Sequence, residues 1–229
     1  FISTKEDLVS LTREEGIVED TAMACYLVSA VALFFLSAKA KKVNCTNFQG
    51  SLSHIVFLVL AFTMILFAGE EISWGQRIFD FNMPDYWENA NRQGEANLHN
   101  LNFWEVLDTS GIEKQGIVRL FSSVALYSYF SFFLLLVIPI INKYWSVTTG
   151  FFLTKGIPVF SFFYGVLFLV NFFVLEIIER TGIESRPVGE IKETNFAILY
   201  LAASISMLIK SGPPPLPTMD RKPGIMPMN

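Results

Sequence analysis

Five apolar runs interrupt the sequence, at Thr21–Ala38, Leu52–Gly69, Leu120–Ile141, Ile157–Leu175 and Asn195–Ile209. About 20 helical residues cross about 30 Å of hydrocarbon. Runs of this length predict an all-α fold: a polytopic transmembrane helix bundle of about five spans. The last run is roughly one turn short and predicts little tilt or a thinned rim. None of the five has a charge in its interior, where one would cost about 2.5–3.5 kcal/mol. That, and the lack of paired broken helices, argues against an ion-coupled carrier. An acidic rather than basic stretch precedes the first run, which therefore reads as a span and not as a cleaved leader.

Composition fits a chain dissolved in lipid. Of the 229 residues, 52% are hydrophobic and 17% charged, with 23 phenylalanines. A soluble domain carries about 25% charged residues. The net charge of −4 excludes the basic footprint of nucleic-acid binding.

The position of the charges is more informative than their sum. Lys39, Lys41, Lys42, Lys143, Lys155, Lys210, Arg221 and Lys222 fall on one side of the predicted spans with one acid, Asp220, for a net of +7. The opposite side holds the other nine basic and twenty acidic residues, a net of −11. Short loops rich in lysine stay cytoplasmic, which puts the N-terminus outside and the C-terminus inside. Residues 1–20 then form an outer interfacial amphipathic helix, with Leu8, Leu11, Glu15 and Val18 at helical spacing. Residues 21–210 form the membrane domain, and 211–229 a cytoplasmic tail.

On the outer face the densest chemistry follows the second run. If that helix continues past Gly69, Glu70, Ser73, Trp74 and Arg77 share one face, leaving Glu71 toward a neighbouring helix. The loop 80–118 is too long for a bare connection. Tyr86, Trp87, Phe103 and Trp104 predict two short helices near 85–92 and 101–109, making an interfacial cap. Glu95 and His99 are four apart, which on a helix would set a carboxylate beside an imidazole. The fourth run ends in Glu176 and Glu179, and the fifth is preceded by Glu190 and Glu193.

The candidate catalytic residues are therefore Glu70, Glu71, Arg77, Glu95, His99, Glu176 and Glu179. Paired carboxylates at a water–membrane boundary suit acid–base work, and Glu70, Glu71, His99 and Glu176 are candidate ligands for a hard cation. The same acids paired with Arg77, Arg180, Arg186 and Lys192 would form a purely structural ion-pair network. His54 and His99 lie at opposite membrane faces, so a bis-histidine haem or a two-histidine zinc site within one chain is not expected. Either histidine is a candidate axial ligand to an apolar pigment. Phe130, Phe132, Phe133, Phe160, Phe162, Phe163, Phe168, Phe172 and Phe173 occupy more than one helix face, suiting lipid, protein partners or flat cofactors. The run Pro213-Pro214-Pro215-Leu216-Pro217 predicts an extended tail suited to docking.

The pattern Gly69-Glu70-Glu71-Ile72-Ser73-Trp74-Gly75-Gln76-Arg77-Ile78, followed by Gln93-Gly94-Glu95 and Asn97-Leu98-His99-Asn100, resembles bacterial polytopic membrane proteins of unassigned function. The resemblance implies a bacterial inner (cytoplasmic) membrane and supplies no activity. Two functions fit the sequence. The first is a non-catalytic accessory subunit of a larger membrane complex, docked to lipids and partner subunits through its aromatic spans, acidic outer cap and proline-rich tail. The second is a membrane-embedded enzyme with an outer-face Glu/His site, metal-assisted or not, acting on a lipid-linked or extracytoplasmic substrate.

Overall fold

The computed structural model describes residues 16–44, 52–91, 94–103, 120–145, 152, 157–181 and 185–211. Within them the regular structure is helical: α1 (Ile17–Asn44), α2 (Ser53–Glu71), a 3₁₀ turn (Ser73–Gly75), α3 (Gln76–Phe79), α4 (Asp85–Ala90), α5 (Ser123–Phe132), a π segment (Phe133–Val137), α6 (Ile138–Tyr144), α7 (Phe162–Arg180) and α8 (Ser185–Lys210). Four stretches are long and apolar enough to cross a membrane: Ile17–Lys41, Ser53–Glu71, Ala125–Tyr144 and Phe162–Arg180. The chain is thus an all-α membrane protein. The fifth expected run lies within α8, which at 26 residues reaches about 39 Å but opens with the polar Glu190, Lys192 and Glu193. Most of the expected amphipathic helix 1–20 and the whole proline-rich run lie outside the described residues.

α1 packs between α2 and α8. Its buried residues Ala22, Tyr26, Ser29, Ala30, Leu33 and Ser37 recur at helical spacing. Facing them are Ala61, Met64 and Ala68 of α2, and Ala197, Tyr200 and Ala203 of α8. Lipid gives apolar helices no net hydrophobic reason to associate, so close approach over small residues and interhelical hydrogen bonds must hold them together. Both are present. The Tyr26 and Tyr127 hydroxyls bond each other, and Tyr200 donates to Ser131 Oγ at 2.6 Å. Phe168 stacks on Phe196 with centroids 4.9 Å apart.

The same bonds fix helix directions. Ser37 at the end of α1 donates to the His54 carbonyl at the start of α2 (2.8 Å), so these two run antiparallel. Thr194 donates to the Val18 carbonyl (3.2 Å) and Lys39 to Ser211 Oγ (2.8 Å), so α1 and α8 run parallel. Tyr164 of α7 donates to the Ala202 carbonyl (3.0 Å), while Asn195 near the other end of α8 donates to Asn171 (2.7 Å), which makes α7 antiparallel to α8. One end of the bundle consequently collects Glu19, Glu70, Glu71, Glu190 and Glu193. The other collects Lys39, Lys143 and Lys210.

The third span is not one regular helix. Pro139 lacks the N–H that would bond the Leu135 carbonyl, and its ring crowds that oxygen. The helix widens there into a π segment, in which the Ile138 N–H bonds the Phe133 carbonyl. The displaced Leu135 carbonyl meets α7 at Gly165, where a methyl group would lie 2.5 Å from its oxygen. Glycine at 165 is therefore what lets α7 close on this bulge.

Candidate functional site

The continuous helix expected through residues 70–77 does not form. α2 ends at Glu71, and Ser73, Trp74 and Gly75 all take positive φ (47°, 52° and 80°). Left-handed backbone costs a non-glycine residue about 1–2 kcal/mol, so something must hold the corner. Two carboxylates do. Trp74 Nε1 donates to Glu70 Oε1 at 2.6 Å, and its ring lies over Gly69, where a Cβ would be 2.9 Å from ring carbon. Ser73, fully buried, donates to Glu95 Oε2 at 2.7 Å.

Residues 94–100 fold over this corner as irregular chain. Glu95 and His99 do not meet as neighbours on a helix, which corrects the pairing read from their spacing. Each instead bonds a different part of the corner. Glu70 Oε2 accepts from the backbone N–H groups of Leu98 (2.6 Å) and His99 (2.9 Å) and lies 3.2 Å from His99 Nδ1. Glu95 Oε2 also accepts from Asn97 Nδ2 at 2.6 Å. Asn97, only 1% exposed, receives Asn91 Nδ2 on its side-chain and backbone oxygens (3.0 and 2.8 Å). Gln76 Oε1 accepts from the Ala96 N–H at 2.6 Å, and Trp87 Nε1 donates to the Glu95 carbonyl at 3.1 Å. Burying this many polar groups is tolerable only because they satisfy one another.

Of the two helices expected in the cap, the first is α4. Residues 101–103 are not helical: Leu101 forms an isolated bridge with Asn91, and 104–119 lie outside the described residues. The Asn102 N–H bonds the Ala90 carbonyl at 2.9 Å, closing the segment back on α4.

Beside the corner is a cavity of about 530 Å³ whose walls include Leu66, Phe67, Leu98, Leu126, Tyr127 and Phe130. Glu70, Glu71, His99 and Glu193 line its polar end. The charges that act most strongly on Glu71 are the carboxylates of Glu193, Glu190, Glu19 and Glu70. His99 is 43% exposed along its side chain. Burial disfavours its charged form, but the Glu70 hydrogen bond and the charges of Glu193, Glu70 and Glu190 outweigh that and hold its pKa above the ordinary histidine value. An ionised carboxylate only accepts hydrogen bonds, so Nδ1 carries the hydrogen toward Glu70. Nε2 is then the ring nitrogen left for exchange with a ligand.

The structure therefore unites Glu70, Glu71, Glu95 and His99 from the expected set, and adds Glu193. Glu176 is not part of it; its side chain pairs with Arg180 at 3.2 Å, one turn along α7. Glu179 does not line the cavity, and the Arg77 side chain lies outside the described residues. His54 sits at the far end of α2 with Nδ1 buried and unpartnered among the described residues. No group of three or more His, Cys, Asp or Glu side chains suited to a metal ion occurs among the described residues. Glu70, Glu71, His99 and Glu176 thus do not assemble as a ligand set. Spacing singled out Ser73 but not its bond to Glu95, and it could not have identified Asn97, Tyr26 and Tyr127, whose roles come from chain reversal and helix packing. Their signal in sequence is faint: polar side chains in or beside apolar runs. No protein-family model, curated protein or solved structure matches the chain.

Proposed function

We propose that this chain is an integral membrane protein whose working site is the cavity at the acidic end of the bundle, where it binds an amphipathic, lipid-class molecule and exchanges a proton with it. One observation carries the reading: an apolar chamber of ligand size whose polar end holds a carboxylate-oriented imidazole. Leu66, Phe67, Leu126 and Phe130 would take the apolar body of the molecule. Glu71, Glu193 and His99 would face its polar group, best a cation or a hydrogen-bond donor. His99 Nε2 would carry the proton, with Glu70 as a positioning residue.

In this reading α8 is a fifth span, the acidic end and its cap are extracytoplasmic, and the lysine end is cytoplasmic. The parallel course of α1 and α8 supports it, because it brings the lysines to one end as the positive-inside rule requires. The membrane would be a bacterial inner membrane.

The test is mass spectrometry of the amphiphile that accompanies the full chain extracted in native lipid discs, compared with Leu66→Trp, which fills the chamber, and His99→Gln. The expected result is one amphiphile per chain, lost in Leu66→Trp and retained in His99→Gln. No bound amphiphile, or equal retention in folded Leu66→Trp, overturns the proposal.

An accessory-subunit role is the second reading. It is favoured by the outward face of α7, which exposes Phe163, Val166, Val170, Phe173, Val174 and Ile177. A chain that runs as a lone monomer after gentle extraction would count against it.

A further inference from the structure

Four aromatic rings, those of Tyr26, Phe67, Tyr127 and Phe130, line the chamber at the acidic end. Phe67 meets the other three edge-to-face, with centroids 5.5, 5.0 and 5.8 Å away. Rings packed against one another in this way hold the wall in shape before a ligand enters. Aromatic faces carry negative charge density and attract cations, most strongly where water is excluded. At the polar end, Glu70 is already bonded to Trp74, Leu98 and His99. Glu71 differs: the charges that act most strongly on it are four other carboxylates, with neither a cation nor a hydrogen-bond donor among them. Neither Lys nor Arg lines the chamber among the described residues. Lys192, one residue before Glu193, holds its ammonium 4.3 Å from the centre of the Phe172 ring, which is not a chamber residue. Glu193 has contacts of its own, which leaves Glu71 as the acceptor for a ligand.

We propose, resting on the reading of this cavity as an amphiphile site, that its ligand is a long-chain amine. The primary ammonium donates to Glu71 and lies against the aromatic wall, and the alkyl chain runs along Leu66 and Leu126. A cation beside Glu71 offsets the repulsion from the neighbouring carboxylates. An anionic head meets that repulsion instead, and a hydroxyl gains neither the charge nor the attraction of the rings. A primary ammonium, unlike a quaternary one, also carries an N–H that Glu71 can accept and that His99 Nε2 can exchange.

Native mass spectrometry of the full chain tests the assignment, with dodecylamine, dodecanol and dodecanoate as separate probes of one chain length. The expected result is one dodecylamine per chain, held about tenfold or more tighter than either other probe and lost in Leu66→Trp. Glu71→Gln, which turns a bond to a charged acceptor into one to a neutral amide, should weaken dodecylamine about tenfold and leave dodecanol unchanged. Dodecanol or dodecanoate held as tightly as dodecylamine, and lost in Leu66→Trp, overturns the ammonium assignment while the amphiphile site stands; this comparison needs no variant at Glu71. Dodecylamine affinity that is unchanged in a Glu71→Gln chain of unaltered helicity also overturns it. Binding of no probe, or binding indifferent to Leu66→Trp, overturns the amphiphile site and the ammonium assignment together.

Discussion

Replacing Glu70 by glutamine tests whether this carboxylate holds residues 94–103 to the bundle. Oε1 takes the Trp74 indole N–H, and Oε2 takes the Leu98 and His99 backbone N–H groups and His99 Nδ1. Glutamine has one oxygen and one NH₂. If its oxygen faces Leu98 and His99, the NH₂ opposes the Trp74 N–H; the flipped amide orphans two backbone donors instead. The first arrangement costs less, because Trp74 is 47% exposed and water can serve its indole. The remaining cost is the loss of charge from three hydrogen bonds. Bonds to a charged group contribute about 1.5–3 kcal/mol against about 1 for neutral ones, so the substitution should weaken the docking of residues 94–103 by about 2–3 kcal/mol. Hydrogen exchange of the Leu98 and His99 amides should accelerate about 30- to 150-fold, provided that they exchange by local opening. Trp74→Phe, which removes only the half-exposed bond, should change them less. Unchanged exchange at 98 and 99, or the same acceleration throughout α1 and α8, would refute the reasoning.

The His99 contact should also give this docking a pH dependence. Because the folded pKa lies above the ordinary value of 6.5, this contribution is fully present below that value and is lost as pH rises through the folded pKa. Exchange at 94–103 should therefore quicken toward alkaline pH beyond the intrinsic base catalysis of exchange, and His99→Gln should flatten the difference. Gly165→Ala puts a methyl group 2.5 Å from the Leu135 carbonyl oxygen and should destabilise the chain by about 1–3 kcal/mol as overpacking, read from reversible unfolding in mixed micelles. Gly189, with nothing within 4 Å of its added Cβ, is the control, and equal effects at the two sites would discount the π-segment contact. A double-mutant cycle on Tyr26→Phe and Tyr127→Phe should give a coupling of about 0.6–1.7 kcal/mol, the range for hydrogen bonds between helices in lipid. A coupling near zero would show that the bond does not hold α1 to α5.

The proposed site rests on a division of labour among its acids. Glu70 and Glu95 spend their oxygens on the reversal at Ser73–Gly75 and on the chain that folds over it. Glu71 and Glu193 face the chamber from α2 and α8. The dense pattern from Gly69 to Asn100 thus reads mainly as the recipe for a corner. The His99 ring is where that corner and the chamber meet.

Sequence alone determined the solvent, because uncharged apolar runs of this length leave a backbone few alternatives to a membrane helix. It also placed the acids at one end and the lysines at the other, since successive spans must reverse direction. Reading span boundaries from apolarity alone missed the start of α7: Ile157–Ser161 is not helical, and the helix begins only after Ser161. Only the tertiary structure decided what the acids touch. Helical spacing put Glu70 with Arg77 and Glu95 with His99, but three consecutive left-handed residues turned the chain and joined Glu70 to His99 and Glu95 to Ser73. Periodicity describes a helix only while it remains one. The cavity was equally illegible, because it depends on the distances at which Tyr26, Phe67, Tyr127 and Glu193, on four separate helices, come to rest.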